Sequence, residues 1–381
     1  MAEMTEILKV AVEKGASDIH ISIGLPPMAR ISGRMTPLPY DVLTADEARR
    51  LVYSLMFDAQ RRRFEEDLEL DVSSSIQGVG RFRLNALLHR NGVGAVLRVI
   101  PSKIPTPQDI NLPAAALEVT KLPRGLVLIT GPTGSGKSTT LACIMDLINQ
   151  QRREHILTVE DPIEFVYESK SCVVTQREVG AQTKGFGEAL KHALRQDPDV
   201  VLIGEMRDLE TISAALTIAE TGHLVFGTLH TNDAPSTIDR IVDVFPPFQQ
   251  QQVRTQLAGS LQAVISQILL PRADGKGRVA AREIMIMTSA IANLIREGKT
   301  HMIYNAIESG SRQGMISMDR TLAGLVQSGL ISIDVALEKA HNPDTIKQYK
   351  NQPTTQAPTQ SPSSPSPASG APRPAAADAA L

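Results

Sequence analysis

The stretch LVLITGPTGSGKSTTLACIMDLINQ, residues 126–150, decides the fold class. It opens on a short apolar, β-branched run of the kind found in a strand buried on both faces. Residues 131–138, GPTGSGKS, then fit the spacing G-x-x-x-x-G-K-[ST], and a helical pattern leaves them. Within Gly131-Pro132-Thr133-Gly134-Ser135-Gly136 the three glycines let the backbone curl so that its N–H groups face phosphate oxygens, and the helix start adds its partial positive charge. Lys137 is expected on the β- and γ-phosphates, with the Ser138 hydroxyl ligating Mg²⁺ and Thr139 following it. A glycine turn with a chance lysine would require neither flanking element. The stretch therefore predicts a strand–loop–helix unit of an α/β domain holding ATP or GTP.

Downstream, HILTVE, DVVLIG and HLVFGTLH alternate with helical patterns, as in a mostly parallel sheet covered on both faces. Ligands of such sheets bind at the C-terminal strand ends. Two of those ends are acidic: LTVEDPIEF carries Glu160, Asp161 and Glu164, and PDVVLIGEMRD ends its apolar run at Gly204-Glu205. A nucleotide hydrolase needs carboxylates to handle the metal and the attacking water; the competing reading is that these acids cap turns. The run TGHLVFGTLH, 221–230, carries His223 and His230. Extended at ~3.3 Å per residue, it separates the two imidazoles by about 23 Å, so they cannot share a metal ion. His230 falls at the phosphate edge of the sheet, where it could bond the γ-phosphate or a catalytic glutamate; His223, at the opposite end, reads as structural or as a subunit contact. A hydrogen-bonded core histidine is the alternative for each.

Before this region, residues 3–14 place Met4, Ile7, Leu8 and Val12 on one helical face. SDIHISI and MARISG read as strands, 44–67 as a helix opened by a Thr44/Glu47 capping box, and GRFRLNALLHR and GVGAVLRVI as a pair joined at Asn91-Gly92. On GRFRLNA, strand alternation puts Arg81 and Arg83 on one face and Phe82 and Leu84 on the other. This gives a small α/β domain over 1–100, a linker over 101–113 with four prolines, and a second domain over 114–350. The stretch 351–381, with seven prolines and two charged residues, reads as a disordered tail.

Composition excludes several classes. A net charge of −2, 3% aromatic residues and no Trp supply neither the basic surface nor the stacking platform of a nucleic-acid binder. Cys143 and Cys172 are too few for a four-cysteine zinc site and read as buried or free thiols of a cytoplasmic protein. No apolar run reaches the ~20 residues that would span a bilayer, so direct membrane insertion is not expected.

GPTGSGKSTT, ILTVEDPIEF, DPDVVLIGEMRDLET and ETGHLVFGTLHTNDA stand in the order and spacing of the bacterial type II/IV secretion ATPases, and GASDIHISIGLPPMARISG and VTQREVG extend the likeness. Within that family the chain most resembles the type IV pilus retraction ATPases, since assembly and secretion relatives usually carry a four-cysteine zinc motif. The resemblance implies a PAS-like α/β N-terminal domain, a RecA-like P-loop ATPase domain and a helical C-terminal part. It further implies a homo-hexamer in the cytoplasm, acting on a platform protein at the inner-membrane base of a pilus and driving retraction with ATP. By position it assigns Glu164 as general base, Glu205 as the metal-side glutamate, and His223 and His230 to a histidine box. Arg81, Arg83 and Arg98 would reach nucleotide across a domain or subunit boundary. One departure stands out: where the retraction subgroup reads A-I-R-N-L-I-R-E, residues 290–297 read AIANLIRE, with Ala292 at the first arginine and Arg296 and Glu297 retained. That helix is linked to coupling rather than hydrolysis. The alternative is a nucleotide-binding auxiliary or regulatory partner of a paralogous pilus ATPase.

Overall fold

The computed structural model describes residues 3–350 apart from 102; the stretch 351–381 lies outside the described residues. The N-terminal sheet contains β1 (Ala16–Ile21), β2 (Met28–Ile31), β3 (Arg34–Pro37), β4 (Glu69–Ile76), β5 (Gly80–His89) and β6 (Gly92–Ile100). All its pairs are antiparallel, in the order β3-β2-β1-β6-β5-β4. Helix Met4–Glu13 buries Met4, Ile7, Leu8 and Ala11 in the core of this sheet. The Thr44 capping box is present, but the helical stretch 44–67 is broken into Ala45–Tyr53 and Asp58–Asp67. The second segment is recapped at Phe57, whose backbone N–H donates to the Gln60 side chain. Strands β3 and β4 escaped the sequence pattern because neither carries a run of apolar residues.

The second sheet contains β7 (Gly125–Thr130), β8 (His155–Glu160), β9 (Val173–Glu178), β10 (Val200–Ile203), β11 (Leu224–Leu229), β12 (Leu261–Pro271) and β13 (Arg278–Ile286). Its order is β13-β12-β7-β11-β10-β8-β9, parallel except for the β12–β13 pair. Every residue of β7, β10 and β11 is buried, which is why these strands read as continuous apolar runs. Helices cover both faces, and further short helices, Ser289–Arg296 to Pro343–Lys350, follow β13. Among the described residues no helix is long and apolar enough to cross a membrane.

The strand order positions the site. Parallel β7, β11, β10 and β8 lie side by side, so the segments leaving their C-terminal ends emerge in one row, at roughly 4.8 Å per strand. That row brings together the glycine loop, His230, Glu205 and the acidic loop 160–164, although the chain separates them by up to about a hundred positions. Phe226, fully buried on central β11, fills the layer beneath the helix that leaves the glycine loop. Phe226→Ala should therefore cost about 3–5 kcal/mol in denaturant unfolding.

Candidate active site

A cleft of about 630 Å³ lies at the C-terminal edge of the second sheet and is closed on one side by the N-terminal domain. Thr133, Gly134, Gly136, Lys137, Ser138 and Thr139 form one wall; Glu160, Asp161, Glu164, Glu205 and His230 form the other. Arg83 of β5 and Arg98 of β6 reach the cleft from the N-terminal domain.

The glycine loop is shaped for a phosphate. Gly131 has φ 140°, and a Cβ there would stand 2.1 Å from the Gln267 carbonyl oxygen, so only glycine fits. Gly134 and Gly136 are left-handed, and Gly136 is the N-cap of helix Lys137–Gln151. Lys137 is only 9% exposed, and its ammonium donates to the carbonyls of Gly131 at 2.8 Å and Pro132 at 3.1 Å. Burial lowers its pKa, against the opposing fields of Glu205 and Glu164. The buried Ser135 hydroxyl has no hydrogen-bond partner among the described residues. An unpartnered hydroxyl and a desolvated ammonium beside a helix N-terminus fit a bound phosphate chain.

The loop rests on a side chain that no motif marks. Gln267 of β12 is buried; its amide donates to Ser135 O at 2.7 Å, and its carbonyl accepts from Thr140 Oγ1 at 2.8 Å. Arg282 also donates to Gln267, at 3.3 Å, and to the carbonyls of Ile110 and Asn111 at 3.1 Å, and burial pulls this guanidinium down to about 10. Arg278 lines the cleft and reaches Gly134 O at 3.5 Å. An amide within an apolar strand, as in LQAVISQILLP, is the only sequence sign of Gln267; the reach of Arg278 depends on β13 folding back beside β12.

The acids divide by burial. Glu164 is exposed to the cleft. Glu160 is almost wholly buried and accepts hydrogen bonds from Thr158 Oγ1, Gln176 Nε2 and the Glu164 backbone. Its burial pushes it up to about 7 despite those bonds. Glu205 meets His230 Nε2 at 3.0 Å and pairs with Arg207. Burial opposes ionisation of Glu205, but the Arg207 hydrogen bond and the His230 field outweigh it and hold the carboxyl below its usual range. Thr228 Oγ1 donates to Gly204 O at 2.5 Å, fixing the turn that presents Glu205.

Three arginines that share one sequence signal go to two places. Arg83 pairs with Asp71 at 2.5 Å and Arg98 with Asp18 at 2.9 Å, both at the cleft. Arg81 does not line the cleft; it pairs with Glu178 of β9. His223 also lies away from the cleft, and its Nδ1 is 3.1 Å from both Ile218 O and Thr221 Oγ1.

A family model described as type II/IV secretion system protein matches residues 2–333. The chain belongs to that family. It is similar to the type IV pilus retraction ATPase PilT of Pseudomonas aeruginosa, 55% identical over 344 residues, covering 90% of this chain and 100% of that protein. It is also similar to a twitching motility protein of Neisseria gonorrhoeae, 49% identical over 320 residues, covering 84% and 86% respectively. A crystal structure of the pilus retraction motor PilT with bound ADP superposes with a TM-score of 0.86, at 48% identity, covering 91% of this chain and 100% of that one. The secretion-family fold is thus a mixed α/β N-terminal domain, a RecA-like P-loop domain and C-terminal helices.

Ala292, Arg296 and Glu297 lie at helix Ser289–Arg296, and none of them lines the cleft. Ala292 is buried in the core; Arg296 bonds the Asn293 side chain, and Glu297 pairs with Lys299 at 2.7 Å. The departure from the retraction motif therefore leaves the cleft's own residues unchanged.

Glu160 also makes stability depend on pH. Its folded value, about 7, stands above the ordinary 4.5, so its stabilising contribution is complete below about 4.5 and lost as pH rises through 7. Replacing the carboxyl by an amide removes that charging cost. Glu160→Gln should be more stable than the wild type at pH 8, by on the order of 2 kcal/mol, with the difference shrinking toward pH 5, as read by urea unfolding across pH.

Proposed function

We infer that this chain is an ATP-hydrolysing motor that drives type IV pilus retraction as a homo-hexamer at the cytoplasmic, inner-membrane base of the pilus machine, acting on a platform protein there. The observation that carries this reading is the cleft itself: a desolvated lysine in a glycine loop, two carboxylate-bearing strand ends and two arginines from the other domain converge on one volume. Similarity to PilT along nearly the whole chain supports both the substrate and the direction of work. In this reading the chain divides into 1–100, 101–113 and 114–350, with hydrolysis coupled to movement of one domain against the other.

Lys137 and the backbone N–H groups of residues 133–139 hold the β- and γ-phosphates. The Ser138 hydroxyl and Glu205 would hold Mg²⁺, which when bound would supply charge neutralisation at those phosphates. Glu164, an exposed acid of its loop, orients a water molecule and accepts its proton as the water oxygen bonds to the γ-phosphorus. The bond to the β,γ-bridging oxygen breaks, and ADP and phosphate leave. Glu160 has the wrong environment for that task, since its oxygens are engaged and burial disfavours its charge. Arg83 and Arg98 face the charge that spreads over the γ-phosphoryl oxygens. His230, hydrogen-bonded to Glu205, connects the metal side of the site to the segment 231–240. His223 supports the turn before β11.

Glu164→Gln should lower ATP turnover by at least about a hundredfold while leaving ATP binding intact, measured by phosphate release and by nucleotide titration. In cells lacking the chain, abundant immobile pili corrected by the wild type but not by Glu164→Gln are expected. Bald cells would mean assembly instead of retraction, and unchanged pili would favour an auxiliary partner of a paralogous ATPase.

A further inference from the structure

Glu178 is a buried acid at the end of edge strand β9, and three groups from three different segments converge on one of its oxygens. Oε2 accepts from the Ile163 backbone N–H at 3.0 Å, from Ser73 Oγ of β4 at 3.0 Å, and from Arg81 Nη2 of β5 at 2.5 Å. Ile163 directly precedes Glu164; Ser73 and Arg81 belong to the N-terminal domain, and they face each other's neighbours across the β4–β5 register. Glu178 is 5% exposed, so its charge is compensated only by what the fold places against it. The Gln182 side chain steadies the backbone N–H of Glu178 at 2.8 Å.

β9 presents two side chains to the same loop. Gln176, two positions earlier and so on the same face, donates to Phe165 O and accepts from Tyr167 N–H. Gln176 holds the far side of the acidic loop entirely within the second domain. Glu178 holds the near side, and two of its three donors come from the other domain. A swing of the N-terminal domain would remove the only cation paired with this carboxylate among the described residues and leave the Ile163 peptide N–H as its remaining donor of the three.

We propose that Glu178 is a positioning residue that couples docking of the N-terminal domain, through Arg81 and Ser73, to the placement of the Glu164 loop. The proposal rests on the ATPase reading of the cleft. Arg81 then acts through Glu178 instead of on the nucleotide, while Arg83 and Arg98, on the same sheet, close the cleft. Domain docking and alignment of the water-orienting acid become one event, so hydrolysis is confined to the docked arrangement.

The test is steady-state ATP turnover by the purified full-length chain for Glu178→Gln, Arg81→Ala and the double variant, with ADP affinity measured on the same preparations. Each single variant should lower kcat about tenfold or more, with ADP affinity within about twofold, because the glycine loop is untouched. The double variant should be no slower than the slower single, since both changes remove one contact. Arg81→Lys, which keeps a donor and the charge at the domain boundary, should recover most of the rate lost in Arg81→Ala and serves where Glu178→Gln is unstable. Wild-type kcat in Glu178→Gln, multiplying losses in the double variant, a parallel loss of ADP affinity, or Arg81→Lys as slow as Arg81→Ala would each overturn the latch alone. Absence of hydrolysis by the unsubstituted chain would overturn the functional reading beneath it.

Discussion

The structure turns on holding one ammonium group out of water. Lys137, with its ammonium on the carbonyls of Gly131 and Pro132, lies in a glycine loop that only the absence of a Cβ at residue 131 permits. A buried cation of this kind costs free energy unless a charge of opposite sign comes to it, and that cost makes the loop selective for a multiply charged anion. The surroundings follow from the same constraint. Gln267 braces the loop from below, Arg282 ties that brace to the linker carbonyls, and Glu205 and Glu164, in the segments that leave neighbouring β10 and β8, are close enough for their fields to oppose the desolvation of Lys137.

Much of this was legible in the residues. The glycine loop, the acidic strand ends and the histidine box are contiguous segments whose chemistry is carried by spacing along the chain, and strands such as β7 and β11 are buried on both faces and read as such. Strand alternation also separated Arg81 and Arg83 from Phe82 and Leu84 correctly, since both apolar side chains are buried. What alternation could not give was the partner: Arg81 meets Glu178, nearly a hundred positions away, while Arg83 meets the cleft. Gln267, Arg278 and Glu178 stayed hidden for the same reason, because each gains its role only from the order of strands across the sheet. The single helix read over 44–67 was broken by Ser54–Phe57, where the chain leaves one helix and recaps the next.

Within the proposed function, the two domains divide the work. The second domain holds the phosphates and the carboxylates, and the first contributes arginines to the cleft and donors to Glu178. Nucleotide binding and domain docking then strengthen each other, as differential contacts in two arrangements require. Ala292 lies outside this circuit, buried in a helix away from the cleft, so any effect of that departure falls on transmission of the movement rather than on hydrolysis.

The central claim is that the N-terminal domain completes the catalytic cleft. It is tested most directly by measuring ATP turnover and ADP affinity for the full-length chain carrying Arg83→Ala and Arg98→Ala together. The account predicts a fall in kcat of at least about a hundredfold with ADP affinity nearly unchanged. Wild-type turnover in that variant would contradict it and leave the second domain as the whole of the active site.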